Sequence, residues 1–552
     1  MNLEALLASR LQAAYSQVAG VAVDPAVRRS PHADFQSAAA LPLARQLGRA
    51  PRDIAAEVLA RADLAGVATA AISGPGFLNL TLDDSLLVKA ANEAAADARL
   101  GVPPADNPQR IVIDYSAPNI AKELTIGHLR STVIGDAAAR VLEWLGHDVV
   151  RANHVGDWGT QFGLIIEHLG DGDPGAIGDL TAFYQAARAR FDTDEGFRTR
   201  ARLRVVALQG GDERTLAVWR QFVAVSERQL LAAYGRLGVT LGEGDFAGES
   251  FYNDQLESVV EELAAQGLLT ESDGALCAFP AGFTGREGDP LPLIVRKSDG
   301  GFGYAATDLA ALRYRVRNLH ATRLLYVVGA PQRTHFQMVY AVATAAGWLP
   351  DGVSAEHVAF GSILGTDGKM FRTRSGASVK LAALLDEAVT RAAARAPSAE
   401  IARAVGVGAV KYADLSSDRM SDYVFDWDRM LALTGNTGPY MQYAYARVQA
   451  IFRRAGEFDG EIAITAPAER ALVLELLAFA PVVTGVGTSL EFHRLAGYLY
   501  GLAQTFSTFY EACPVLKAPP GVRESRLALC RLTARTLRRG LDLLGIDTPA
   551  QL

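Results

Sequence analysis

Between residues 110 and 132 the chain reads "RIVIDYSAPNIAKELTIGHLRST", and side chains able to do chemistry crowd into it: Asp114, Ser116, Asn119, Lys122, Thr125 and the pair Gly127-His128. Its apolar, β-branched start fits a strand buried on both faces, and Leu129, Val133, Ile134, Ala137, Val141 and Leu142 then recur at helical spacing. In open α/β sheets ligands collect beyond the carboxyl ends of the strands, which is where Asp114 to Asn119 fall. Gly127 lets a ligand approach the backbone at a helix start, where free N–H groups and the helix dipole favour anions. His128 adds a donor on that side, and Lys122 a positive charge. Residues of these types in this order predict a phosphate site. It is neither of the two common kinds, because neither a GxxxxGK-Ser/Thr loop nor GxGxxG follows the strand.

The elements that must position these residues can be read outward from the turn. "DVVRAN" is the next strand, which gives strand, helix and strand within about forty residues. "TRLLYVVGA" is a later strand of the same buried kind, so a doubly wound, Rossmann-like parallel sheet is expected over residues 109–400. Residues 1–108 combine helical patterns with the strand-like "GFLNLTL", a small α+β domain closed by the linker "GVPPADNPQR". Residues 401–552 are helical throughout, broken at Pro481 and "KAPPG".

At 552 residues, 49% hydrophobic and 21% charged, the composition is that of a multidomain globular enzyme. A net charge of −7 argues against nonspecific coating of nucleic acid, although residues 523–540 carry six arginines on what could equally be a solvated helix face. The most apolar stretch, "ALVLELLAFAPVVTGV", contains Glu475 and Pro481 and reads as a buried helix, so no membrane association is expected. The start lacks the basic-then-apolar order of a signal peptide, and Cys277, Cys513 and Cys530 have no metal or disulfide spacing. A cytoplasmic location is expected. His128, His147 and His154 have no metal-ligand spacing either, so no protein-ligated metal is expected.

A strand leading to a Gly-His helix start resembles the "HIGH" signature of class I aminoacyl-tRNA synthetases. The flanks narrow this: "SAPNIAKE", "GHLRSTVIGDAAARVLEWLGHDVVRANHVGDWGTQFG", "GGFGYAATDLAALRYR", "VVGAPQRTHFQMV", "LGTDGKMFRTRSG", "VGAVKYADLS", "NTGPYMQYAYARV" and "TARTLRRGLDLLGIDTP" together resemble the bacterial arginyl-tRNA synthetases along nearly the whole chain. The resemblance implies ATP-dependent activation of L-arginine to arginyl-adenylate and transfer to the 3′ end of tRNA(Arg). ATP would enter with Mg²⁺, and a monomer is expected. It assigns Asp114 and Asp308 to the substrate guanidinium, Tyr304 and Gln332 to the same pocket, and Ser116 and Asn119 to its α-amino and carboxylate end. Gly127, His128, Lys122 and Thr125 would serve the triphosphate. "GTDGKMFRTRSG" stands where relatives carry a lysine-rich loop, so Gly365, Lys369, Arg372 and Arg374 become candidates there. This non-standard loop implies adenylate formation that requires tRNA. Contact with tRNA would involve Trp158 and Gln161, in a loop with His154 and Asp157, and Tyr440, Tyr443 and Arg447 near the anticodon, with Tyr445 in the same run. Aromatic residues at helical spacing are also what a core helix shows.

Two departures stand out. The first His of the signature is Thr125, whose hydroxyl could reach phosphate but carries no charge, so slower activation is expected. In the N-terminal domain, His32-Ala33-Asp34-Phe35-Gln36-Ser37-Ala38 replaces the family's Phe-Gly-Asp-aromatic-Gln-x-Asn stretch, the module for the tRNA elbow. The competing readings are a non-catalytic tRNA-binding paralogue, a specialised copy for self-resistance or for supplying arginyl-tRNA to biosynthesis, and an enzyme that uses another acceptor.

Overall fold

The computed structural model describes every residue except Met1, Ala121, Asp171, Asp173, Arg286 and residues 372–378, together with the Thr160 side chain. At its centre four parallel strands lie in the order Ser354–His357, Arg323–Tyr326, Arg110–Asp114, Asp148–Ala152. Tyr326 pairs with Asp114, and Asp114 with Ala152, so the carboxyl ends of the three strands are level. The central strand is buried on both faces from Ile111 to Asp114, as a parallel strand covered by helices must be.

The helix Leu129–Trp144 follows the first strand and is buried from Leu129 to Ala139. It lies very close to the strand end: a Cβ on Gly135 would fall 2.2 Å from the Tyr115 ring. Tyr304–Arg317 and Arg333–Ala345 cover the other strands, and their buried residues form a second core with Leu324 and Tyr326. Two insertions interrupt the sheet. One is helical (Leu180–Thr193, Glu195–Gln209, Glu213–Leu237); the other is a small antiparallel sheet of Thr270–Ser272, Ala275–Ala278 and Leu293–Arg296.

The N-terminal part has a four-stranded antiparallel sheet in the order Val27–Arg29, Phe35–Ser37, Phe77–Leu82, Ala68–Ser73. It docks on the C-terminal helices. Arg470 donates from both terminal nitrogens to Asp34 (2.8 and 2.7 Å) and from Nε to Asp84 (2.7 Å). Asn92 exchanges two bonds with the Ile462 backbone. The apolar segment with Glu475 and Pro481 forms two helices, Pro467–Leu477 and Phe479–Ser489, packed into this bundle through Leu472, Val473, Phe479 and Val483.

Most of the arginine-rich run on Val522–Leu543 is used internally. Arg523, Arg526 and Arg539 pair with Glu524, Glu469 and Asp542, Arg531 stacks on Phe458, and Arg535 bonds the carbonyls of Ala95 and Asp97. The contacts of Arg526, Arg531 and Arg535 tie the helix to other segments, which is why the basic stretch does not form a continuous solvated face.

Candidate functional site

At the level carboxyl ends of the central strands lies a cavity of about 560 Å³. It is lined by Asp114, Ser116, Asn119, Gly127 and His128 from the first strand-to-helix turn, and by Tyr304, Asp308 and Gln332 from the later helices. Residues as far apart in the sequence as Asp114 and Phe360 therefore meet in one space. A second cavity of about 430 Å³ adjoins it, sharing Gly127, Gly329 and Phe360, and is lined further by Ile126, Arg130, Pro331, Ile363, Met370 and Phe371.

The turn itself is held under strain. Ser116 and Ala117 have φ of 69° and 41°, a left-handed region that side chains rarely adopt. A buried network fixes it: the Ser116 N–H donates to Ser131 Oγ (2.9 Å), the Ala117 N–H donates to Asn153 Oδ1 (3.0 Å), and Asn153 Nδ2 donates to the Tyr234 hydroxyl (3.0 Å). The Ser116 hydroxyl lies 2.8 Å from the Tyr234 hydroxyl and accepts from Thr132 (3.1 Å). Ser116 thus borders the cavity, and its hydroxyl bonds within the turn. Asn119 is exposed at the rim, and the chain beside it runs against Gly156, where the Ile120 N–H donates to the Gly156 carbonyl. A Cβ on Gly156 would fall 2.1 Å from Asn119 Oδ1. That explains one glycine of the "NHVGDWG" run.

The acids divide into two kinds. Asp114 Oδ2 accepts from Arg315 Nη2 at 2.7 Å, and Arg315 is 1% exposed. Asp114 thus lines the cavity with its charge met by Arg315. Asp308 faces the cavity with Oδ2 2.6 Å from His335 Nε2. Glu249 is the acid that sequence reasoning missed: it lines the cavity and has no arginine or lysine partner among the described ion pairs. Burial, and then the neighbouring Asp157 charge, push its carboxyl up to about 7. Asp157 accepts from the Ser250 N–H (2.8 Å) and hydroxyl (2.5 Å), and so clamps the turn that presents Glu249.

His128 sits at the end of the short helix Ile126–His128, next to Thr125 as its cap. The Thr125 N–H donates to His128 Nδ1 at 3.1 Å, and the Thr125 hydroxyl lies 3.2 Å from the same nitrogen. A nitrogen that accepts cannot carry the ring proton, so the neutral imidazole has its proton on Nε2. Burial, with the Lys122 ammonium nearby, holds His128 below its usual range and neutral at pH 7. The Thr125 hydroxyl is turned toward the imidazole, and Thr125 is not among the residues that line the cavity.

Other candidates fall outside the cavity. The Lys122 ammonium lies 3.9 Å from the Tyr184 ring centre, drawn to the helical insertion by a cation–π contact. Gly365 and Lys369 close a tight hairpin, the Gly365 N–H donating to the Lys369 carbonyl at 2.7 Å, and border a separate cavity of about 890 Å³. Arg372 and Arg374 lie outside the described residues. Trp158 packs edge-on against Trp219, and Gln161 donates to the Gly156 carbonyl (2.8 Å), so both brace their own loop. Tyr445 is buried and Tyr440 packs edge-on against Tyr500, whereas Tyr443 is 46% exposed and the Arg447 guanidinium stacks over Tyr510 at 4.6 Å.

The family model for the catalytic domain of class I tRNA synthetases (R) matches residues 92–427. The chain belongs to the arginyl-tRNA synthetase family. The family's N-terminal domain matches residues 1–82 and the DALR anticodon binding domain residues 441–552. The chain is 54% identical to an arginine–tRNA ligase of Thermobifida fusca, over 100% of its own length and 99% of the relative's. It superposes on the arginyl-tRNA synthetase of Thermus thermophilus with a TM-score of 0.84 at 27% identity, covering 100% of both chains. For the Plasmodium falciparum arginyl-tRNA synthetase the TM-score is 0.85 at 28% identity, covering 100% of this chain and 99% of the other.

Proposed function

We propose that the two adjoining cavities form the activation site of this arginine–tRNA ligase, with arginine in the larger and the nucleotide base in the smaller. The observation that carries the division of labour is the pair of acids, Asp308 and Glu249, on the wall of the larger cavity. A guanidinium presents donors in a fixed planar fork, for which carboxylates are the matching partners. Asp114, neutralised by Arg315, contributes the shape of the cavity floor. The smaller cavity, with Phe360, Phe371, Met370 and backbone at Gly329 and Gly361, suits an adenine ring.

Gly127 and His128 line the larger cavity, and Gly127 borders both, so the triphosphate would cross between them there. The arginine carboxylate then attacks the α-phosphate, and pyrophosphate leaves. His128 Nε2–H and the helix-start N–H groups are donors set to meet charge as it develops. The reacting groups are held by positioning and charge stabilisation, as phosphoryl chemistry requires. In a second step the terminal ribose hydroxyl of the tRNA attacks the arginyl carbonyl, the acyl–phosphate bond breaks, and AMP leaves with the pair of electrons. This turn offers nitrogen donors rather than carboxylates, and among the described residues no cluster of acids, His and Cys could hold a metal ion. The Mg²⁺ that accompanies ATP is assigned to its phosphate oxygens. Exposed Tyr443 and the Arg447–Tyr510 stack are the side chains best placed to stack on unpaired anticodon bases. We further propose that the enzyme works as a cytoplasmic monomer.

Charging of tRNA(Arg) with arginine by the purified protein tests the reading, and pyrophosphate exchange is expected only with tRNA present. His128→Ala should lower the rate of adenylate formation by about 10²–10³, as for loss of one preorganised donor. A near-normal rate in a variant that still binds tRNA would remove this turn from the chemistry.

A further inference from the structure

Thr125 replaces a histidine of the family signature, yet its side chain does not lie where a phosphate ligand would. Its hydroxyl and its N–H both approach His128 Nδ1, at 3.2 and 3.1 Å, and it caps the helix that His128 ends. The imidazole accepts the cap residue's N–H, the part a glutamate usually plays in a capping box, while the His128 N–H donates to the Thr125 carbonyl (2.9 Å). The backbone on either side is fixed from elsewhere: the Ile126 N–H donates to the Val379 carbonyl (2.9 Å), and the Leu381 N–H donates to the Leu124 carbonyl (2.8 Å). The position of the turn therefore does not depend on the side chain at 125. What depends on it is how firmly the ring of His128 is held.

We propose that Thr125 is a positioning residue for His128, holding the imidazole as the Nε2–H tautomer with that N–H available to the cavity, and is not a ligand of the triphosphate. The inference rests on the reading of the cavity as the activation site. With the ring bonded at Nδ1, rotation about its axis or transfer of the proton to Nδ1 breaks the contact with the Thr125 N–H, and the hydroxyl adds a second restraint on the same edge. A histidine at 125 brings no hydroxyl to the Nδ1 edge of the ring, so the chain exchanges one possible phosphate donor for a fixed second one.

Single-turnover adenylate formation with saturating tRNA, measured for Thr125→Val, Thr125→Ser and Thr125→His, separates the roles. Thr125→Val should slow the chemical step threefold to tenfold while leaving the KM for ATP within twofold, because one neutral hydrogen bond to the ring is lost and none to ATP. Thr125→Ser should restore the wild-type rate, and Thr125→His should be no faster than wild type. Nitrogen-15 spectra of labelled histidines, with His128→Gln to assign the signal, should show the Nε2–H tautomer in wild type and Thr125→Ser, with exchange broadening in Thr125→Val. The proposal is overturned if Thr125→Val raises the KM for ATP with the chemical step unchanged, if Thr125→His is faster than wild type, or if wild type shows the Nδ1–H tautomer. An inert His128→Ala would instead overturn the activation-site reading itself.

Discussion

Asp308 and Glu249 share one wall of the cavity and differ in what holds them. Asp308 has His335 beside one oxygen, so Asp308→Asn keeps the volume but turns an amide N–H₂ toward a cation. The expected cost is about 2–3 kcal/mol, roughly 30- to 160-fold in kcat/KM for arginine, with ATP binding little changed. An arginine KM within twofold of wild type at unchanged kcat would show that the acid does not meet the guanidinium. Glu249 gives a pH signature. With its carboxyl pushed up to about 7, part of the population is protonated at neutral pH before arginine binds. A bound guanidinium favours the ionised form, so below pH 7 a proton must leave on binding. Arginine affinity should fall by up to about tenfold per pH unit there and level off above pH 8. Calorimetric titration with arginine at pH 6, 7 and 8 measures this directly, and Glu249→Gln should flatten the profile; a flat wild-type profile would rule it out.

At the scale of elements, the first strand, its turn and the helix Leu129–Trp144 are legible in the sequence, because alternation between apolar runs and a Gly-His start reports a local geometry. The gathering of Asp308 and Gln332 with that turn is not local. It came from family resemblance, and the backbone explains it only through the register of Tyr326 on Asp114. Glu249 escaped because nothing in "DFAGESFY" marks it; the loop that holds its turn, through Asp157, lies some ninety residues earlier in the chain. The resemblance assigns Asp114 and Ser116 to the substrate, and a sequence does not show that Arg315 and Tyr234 are folded against them. Gly156 offers the element-level test. A methyl there collides with the amide end of Asn119, an exposed and movable group, so Gly156→Ala should fold with little change in Tm. It should displace Asn119 from the cavity rim, lowering kcat/KM for arginine about 10- to 100-fold by misplacement alone. Unchanged kinetics would show that Asn119 does not hold the substrate.

Over the whole molecule, tRNA must reach both ends of a chain whose outer parts are fastened to each other. The altered stretch around residues 32–38 is part of that fastening. Asp34 accepts two bonds from Arg470 and one from the Leu82 N–H, while Arg29 donates to the Leu474 carbonyl (2.6 Å). So the acid that the stretch retains works at a seam between the N-terminal sheet and the C-terminal bundle. Burial of Asp34 opposes ionisation, but the bonds and charge of Arg470, with the Leu82 N–H, outweigh it and hold the carboxyl below its usual value. For a carboxyl lowered in this way, the stabilisation is complete above the unfolded pKa of about 4 and is lost as pH falls through the lower folded value. Arg470→Met removes one partner from a largely buried pair and should cost about 1–3 kcal/mol of docking at neutral pH. Hydrogen exchange should then speed up in Phe77–Ala96 and Pro467–Leu477, and leave the central parallel sheet unchanged. The difference between variant and wild type should shrink as the pH falls through the lowered folded pKa of Asp34, below which the carboxyl is protonated in both. Exchange that stays at wild-type rates across both segments at pH 7 would mean that the seam is held by its apolar contacts and that Arg470 adds nothing to it.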